Sequence, residues 1–430
     1  MENNSNRPAE QLGPQIRSLS GEDGVVLLRP HDVSGDLTGG DTDFLDSRGG
    51  RFGKKIEDVF GIPLAKVERQ YVHQRYYGWG QIDVLPYLEW NGFSYADEGR
   101  VLREARVAED GFRRPRTSDD AVISWLTSLL WGGFFKEKYA EVIETGARDD
   151  GEAMEAALEW ALGAEWAGRM MDWAKKSLCH ESASCVGEIR RALAWTALRR
   201  EPVETFSNVV WHWGREFKLH ISPPMHFIAF LGPDGSGKST VIDGVRDRLK
   251  KRRVGSVMLH WRPGFIRPGT EPPGGTVEDP HGKPPRGLVS SILKIGLLVA
   301  DWQLGYWLRY RHQQAKAKIV ISDRFYDDLF LDPKRYRYGG GERLARLGGK
   351  AVPQPDLIFV LHAPAATIFA RKQEVSFEEL ESQLGRYEAY ADGKGSKSQN
   401  RRCLINVDRS IDEIVDEVIS IIEESPKIIN

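Results

Sequence analysis

His226-Phe-Ile-Ala-Phe-Leu231 runs straight into Gly232-Pro-Asp-Gly-Ser-Gly-Lys-Ser-Thr240. A buried-strand pattern therefore feeds a GxxxxGKS loop. In such a loop, glycine-rich backbone turns successive N–H groups toward phosphates, Lys238 supplies a cation for the β- and γ-phosphates, and the Ser239 hydroxyl is placed to hold Mg²⁺. Val241, Val245 and Leu249 then recur on one helical face. The motif sits in the strand, loop, helix context its chemistry needs. The spacing predicts a nucleotide's phosphates along Gly232, Asp234, Gly235, Ser236, Gly237, Lys238, Ser239 and Thr240.

Downstream, five short apolar runs (227–231, 256–260, 319–322, 357–361 and 404–407) alternate with helical patterns. Alternation of this kind predicts a parallel sheet with helices on both faces. The last helix opens on Ser410 and Glu413 in capping-box spacing, with Ile414, Val418 and Ile421 on one face. In open α/β sheets ligands bind beyond the carboxyl ends of the strands. Ile319-Val-Ile-Ser-Asp323-Arg324-Phe325-Tyr326 ends a strand there. Asp323 suits the magnesium shell or the acceptor's proton, and Arg324 suits a bidentate phosphate clamp. A helix-capping Asp with a surface Arg is the plainer alternative.

The P-loop and the Asp323-Arg324-aromatic strand end together resemble the thymidylate kinase branch of the nucleoside monophosphate kinases, through most of residues 226–424. Pro355-Asp-Leu-Ile-Phe-Val-Leu-His-Ala-Pro-Ala365 is similar to that family's fourth strand and following turn. Arg371-Lys372 falls where the family has its mobile lid. The resemblance implies an ATP- and Mg²⁺-dependent phosphotransferase in which Lys238, Asp323, Arg324 and Arg371 are catalytic, Arg371 neutralising charge on the transferred phosphoryl group. A solvated helix face is the other reading of Arg371-Lys372.

Three departures bear on the acceptor. The second strand ends in Trp261-Arg262-Pro263-Gly264, followed by an insertion carrying His281, Lys283 and Arg286. The helix before Asp323 reads Ala300-Asp301-Trp302-Gln303, with Trp where the family has an arginine at the acceptor phosphate; the indole is expected to offer a stacking face instead. Asp332-Pro-Lys334-Arg335-Tyr336-Arg337-Tyr338 mixes basic and aromatic residues. It could track single-stranded nucleic acid or contact a small phosphorylated acceptor, and the chain's balanced charge favours the second. The expected acceptor is a nucleoside monophosphate or another small molecule, such as a sugar or polyol derivative.

Upstream of the P-loop the pattern changes. Short strands at 25–28, 39–45 and 80–85, with a helix at 54–60, would place Asp41, Asp43 and Asp83 on adjacent strands. Three carboxylates so placed suit Mg²⁺ ions holding a triphosphate. Gly39-Gly-Asp41-Thr-Asp43 with a third Asp looks like the minimal nucleotidyltransferase (polymerase-β-like) fold. A Gly-Gly-Asp turn is also common by chance, and Asp46 could equally be the second acid. From 118 to about 220 the chain reads as amphipathic helices rich in Trp and Ala. Ser118 caps one, 152–174 forms another, and the tryptophans read as core packing. Pro223-Pro224 marks a linker. The expected class is multidomain α/β: a disordered tail (1–20), a nucleotidyltransferase-like α+β domain (21–117), a helical domain (118–222) and the P-loop domain (223–430).

At 430 residues the chain exceeds what one core organises. Sixty Lys and Arg against 62 Asp and Glu speak against nucleic acid or an anionic membrane as partner. Cys179, Cys185 and Cys403 form no CxxC pair, which predicts free thiols in a reducing compartment, the cytoplasm. The polar first twenty residues lack a signal-peptide pattern. The apolar stretch 288–308 carries Lys294 and Asp301, so a buried helix is expected rather than a membrane span. A homodimer is left open. Rival readings are a nucleotidyltransferase regulated by its P-loop domain and a non-catalytic, ATP-gated binding module; a role in surface-polysaccharide metabolism is suggested by fold-level analogy alone.

Overall fold

The structure is a computed structural model that describes residues 24–28, 41–46, 51–60, 63, 65–69, 71–77, 80–109, 111–251, 254–266, 287–316, 318–373, 375–393 and 401–425, without the side chains of Asp41, Arg51 and Ala65. The expected tail at 1–20, Gly39-Gly40, and His281, Lys283 and Arg286 lie outside the described residues. The chain divides into two compact units, one within Met1–Leu219 and one over His220–Lys427.

In the first unit, β1 (Val25–Leu28), β2 (Asp41–Asp46), β3 (Ala65–Glu68), β4 (His73–Tyr77) and β5 (Gly80–Leu85) form a sheet in the order β1-β2-β5-β4-β3. Only β2 and β5 pair in parallel. Strand alternation sends neighbouring residues to opposite faces. Val25, Leu27, Phe44, Ile82 and Val84 join Phe52, Ile56 and Phe60 of α1 (Arg51–Phe60) in one core. Val26, Leu28 and Leu45 enter a second core, shared with the helices that follow. α1 begins earlier than expected, and the Phe52 N–H donates to Asp46 Oδ2 at 3.2 Å. An acid at a helix N-terminus is stabilised by its exposed N–H groups. Asp46 thus serves α1, on the sheet face opposite Asp43.

Two short hairpins, β6 (Glu89–Trp90) with β7 (Phe93–Ser94) and β8 (Arg106–Val107) with β9 (Arg113–Arg114), flank α2 (Glu98–Glu104). Then come α3 (Thr117–Thr127), α4 (Ala140–Asp149), α5 (Gly151–Leu162), α6 (Ala164–Lys175), α7 (Val186–Arg200) and α8 (Pro202–Ile221). Two expectations fail here. Ser118 does not cap α3: it is buried inside the first turn, and Arg116, the residue before the helix, makes no capping bond. The single helix expected over 152–174 breaks at Gly163, whose φ of +87° suits glycine and stops a right-handed helix. Trp125 is core, its Nε1–H donating to Ser182 Oγ at 2.9 Å. Trp195, Trp211 and Trp213 are exposed, against the expectation of core packing.

In the second unit β10 (Phe227–Leu231), β11 (Gly255–His260), β12 (Lys318–Asp323), β13 (Leu357–His362) and β14 (Arg401–Asn406) form an all-parallel sheet in the order β11-β12-β10-β13-β14. All five expected strands are present. β10 is central and wholly buried, as its unbroken apolar run requires. Around the sheet lie α9 (Lys238–Lys251), α10 (Leu288–Gly305), α11 (Arg311–Ala315), α12 (Asp328–Leu331), α13 (Glu342–Gly349), α14 (Ala365–Arg371), α15 (Phe377–Ala391) and α16 (Ile411–Glu423). Phe227, Ala229 and Leu231 share a core with Leu298 and Trp302 of α10 and Tyr387 and Tyr390 of α15. α16 starts at the expected Ser410–Glu413 capping box.

α10 departs from its expected burial. Ser291, Ile295, Leu298, Asp301, Trp302 and Gly305 are buried, whereas Val289, Leu293, Leu297 and Leu304 are exposed. By length and composition the helix over 288–315 could cross a membrane. One such helix is weak evidence for that, and the buried stripe fastens this one to the sheet.

Candidate active site

The P-loop leaves β10 at the centre of the sheet, between β12 and β13. Gly235 has φ +84°, and a Cβ there would lie 3.0 Å from Lys372 Cβ and 3.3 Å from Ile368 Cγ2. The loop therefore requires glycine on both conformational and steric grounds. Lys238, the first residue of α9, folds back so that Nζ donates to the carbonyls of Gly232 (2.9 Å) and Pro233 (2.8 Å). Burial first, then the nearby Arg324 guanidinium, pull its ammonium down to about 8. Ser239 and Thr240 are exposed, and Ser236 Oγ is buried without a hydrogen-bond partner.

β12 delivers Asp323 and Arg324 beside this loop. Asp323 Oδ1 is buried without a hydrogen-bond partner. Arg324 sits at φ +71°, a backbone state that costs a non-glycine residue energy and is tolerated where surroundings enforce it. Here its N–H donates to Phe230 O at 3.0 Å, and Ser322 Oγ donates to its carbonyl at 2.5 Å. The guanidinium spans Asp234 of the P-loop and Asp328 Oδ2, the latter at 3.4 Å. Burial, the largest influence on Arg324, opposes its charge, and Asp328 and Asp234 help hold its pKa well above the ordinary value. Asp328 is buried completely, accepts from Tyr387 OH at 2.8 Å, and is pushed by burial up to about 6.

The other expected residues are placed less centrally. Arg371 is exposed at the end of α14, and its neighbour Lys372 is the residue that abuts the P-loop. Trp302 is fully buried, edge-on to Phe325 at 5.0 Å. Its indole packs the core and offers no stacking face to a ligand. The preceding Asp301 accepts from the backbone N–H of Gly264 (2.9 Å) and Ile266 (2.7 Å), fixing the turn after β11. Arg335, in the stretch the sequence suggested for a phosphorylated acceptor, ion-pairs with Asp234 Oδ2 of the P-loop. Sequence reasoning missed Asp328, four residues beyond Arg324, a spacing that could have signalled the pair.

In the first unit, β2 and β5 place Asp43 directly opposite Asp83, with Asp41 opposite Gln81. Asp43 and Asp83 line a cavity of about 280 Å³ with Arg69, Tyr71, Gln74 and Lys136 among its walls. Gln81 and Gln74 donate to the two Asp83 oxygens at 2.7 and 3.2 Å. Tyr71 lies against Trp131, ring centroids 4.4 Å apart and planes tilted by 35°. Among the described residues no group of three His, Cys, Asp or Glu side chains forms a metal site. The Asp41 side chain is outside that set.

A P-loop on the central strand of a parallel sheet, with an Asp-Arg pair at the end of the adjoining strand, defines a P-loop nucleotide-binding domain. Comparison with known proteins gives the family. The chain is 31% identical over 206 residues to the probable thymidylate kinase of Sulfolobus acidocaldarius, covering 46% of this chain and 96% of that protein. It is 31% identical over 215 residues to the thymidylate kinase of Cupriavidus metallidurans (45% and 97%) and 31% over 220 residues to that of Cupriavidus taiwanensis (46% and 97%). The chain belongs to the thymidylate kinase family. No protein-family model matches it. These homologues imply use of ATP and, generally, Mg²⁺. A nucleotide-borne Mg²⁺ takes one or two protein ligands and keeps phosphate and water for the rest. The exposed Ser239 hydroxyl and the unpartnered Asp323 oxygen fit that demand.

Proposed function

We propose that the second unit transfers the γ-phosphoryl group of ATP to an oxygen of a small acceptor, releasing ADP. The observation that carries this is the convergence of Lys238, Asp234, Asp323 and Arg324 at one strand-end crevice, with Asp323 Oδ1 left unpartnered. Lys238 and Arg324 supply cations for the phosphates, Asp323 addresses the metal or the acceptor's proton, and Arg371 closes from α14. The acceptor is a nucleoside monophosphate or another small molecule, such as a sugar or polyol derivative. With Trp302 in the core, α10 brings no arginine to an acceptor phosphate from that position, so dTMP is expected to be a poor acceptor. A cytoplasmic setting accords with three free cysteines, and a place in surface-polysaccharide metabolism rests on fold-level analogy.

The test is purified protein with Mg-ATP and a panel of acceptors, read by mass spectrometry. ADP with a phosphorylated acceptor is the expected result. If dTMP turns over with kcat/KM of about 10⁴ M⁻¹s⁻¹ or more, the acceptor argument fails and plain thymidylate kinase activity replaces it. ATP binding with no product would indicate a switch.

A second reading concerns the first unit. Asp43 and Asp83, paired across parallel strands and facing one cavity with Arg69 and Lys136, favour a nucleotidyltransferase-like site. Release of pyrophosphate in the same assay would support it.

A further inference from the structure

The acceptor side of the kinase site lacks a cation at position 302, but one arrives by another route. The stretch after α12 is tied down along its length. Arg337 N donates to Lys334 O and Tyr338 N to Pro333 O, both at 2.9 Å, and Gly339 N donates to Ser291 Oγ at 3.1 Å. Tyr336 stacks on Trp261, ring centroids 4.7 Å apart and planes within 18°, and Lys294 donates to its carbonyl. So anchored, Arg335 sets its guanidinium against Asp234 Oδ2 while Arg324 takes Oδ1. One P-loop carboxylate is thus shared by two guanidinium groups; Arg324 has Asp328 as a second partner, so Arg335 can leave Asp234 without stranding that carboxylate. The Tyr336 hydroxyl, more than nine-tenths buried, has no hydrogen-bond partner. Burial, then the Asp328 carboxylate, push the phenol well above its usual range, so it keeps its proton and can donate.

We infer that Arg335 is an acceptor-binding residue, engaging an anionic group of the acceptor, a phosphate or carboxylate, in place of Asp234 Oδ2, with the Tyr336 hydroxyl as a neutral donor beside it. The planar guanidinium fork matches such an oxyanion bidentately. A mere strut holding Asp234 would require neither a second guanidinium on the same carboxylate nor a buried, unused hydroxyl. The inference rests on the kinase reading above.

Full-length protein saturated with Mg²⁺ and β,γ-methylene-ATP, which fills the P-loop, is titrated with inorganic phosphate by calorimetry. Wild type is expected to bind phosphate. Arg335→Gln should weaken that binding by about 10- to 150-fold, the loss of one charge-assisted hydrogen bond. It should leave affinity for the ATP analogue unchanged. Arg335→Lys should recover part of the loss, and Tyr336→Phe, which keeps the ring stack, should lose less than Arg335→Gln. The inference is overturned if wild type binds no phosphate, if Arg335→Gln binds it normally, or if phosphate and analogue affinity fall together, as a strut would require. Failure of wild type to bind the analogue is a separate result, and it removes the kinase reading itself.

Discussion

Lys238 shows how one side chain can be poised without its ligand. Its Nζ rests on two loop carbonyls, and burial with Arg324 pulls the ammonium down to about 8. Above that pH the ligand-free protein increasingly holds a neutral amine. Phosphate oxygens favour the charged form, so ATP binding must restore the proton. ATP affinity is therefore expected to fall as pH rises through about 8, the value set by burial. Calorimetry at that pH in buffers of differing ionisation enthalpy should show net proton uptake. Equal heats in all buffers, with flat affinity, would mean that the lysine stays charged throughout.

Secondary elements explain both the successes and the misreadings of the sequence. The strands of the parallel sheet were legible because a run such as 227–231, apolar at every position, has few alternatives between turn signals. Trp302 was misread for the opposite reason: one residue in an apolar helix does not say which face is inside. Only the packed stripe of Ser291, Ile295, Leu298, Trp302 and Gly305 settles it. Asp46 and Ser118 failed similarly, since a cap and a catalytic acid share residue types. The Arg335 to Asp234 pair joins residues 101 apart, and no local pattern encodes such a meeting. Asp323 and Arg324 were legible as a pair because they end an apolar run. The packing assignment of Trp302 has its own consequence. Trp302→Ala should cost about 3–5 kcal/mol, the usual price of emptying a core aromatic site. Urea unfolding would measure it, and a loss below about 1 kcal/mol, the range of ordinary surface changes, would return the indole to the ligand side.

At the scale of the whole molecule, the thymidylate kinases are covered almost end to end by less than half of this chain. The first unit has its own sheet, two cores and an acid-lined cavity. If that cavity holds a metal-bound nucleotide, the full-length protein has two nucleotide sites of different chemistry, and one must be silenced to see the other. Lys238→Ala removes a P-loop cation, an electrostatic loss that typically costs about 10² to 10³ in rate. The Lys238 Nζ, at the buried start of α9, bonds P-loop carbonyls and joins no apolar core, so the fold should persist. In that background a second, Mg²⁺-dependent nucleotide-binding event is expected by calorimetry. Adding Asp43→Asn and Asp83→Asn should abolish it, because neutral amides replace carboxylates poorly around Mg²⁺. Gln81 and Gln74 donate to the two oxygens of Asp83, so an amide there keeps one of these bonds, the other requiring its glutamine amide to turn over, while the charge is lost. Residual binding that survives both changes would make the acid pair structural, whereas absence of any binding in Lys238→Ala alone would confine nucleotide chemistry to the P-loop unit.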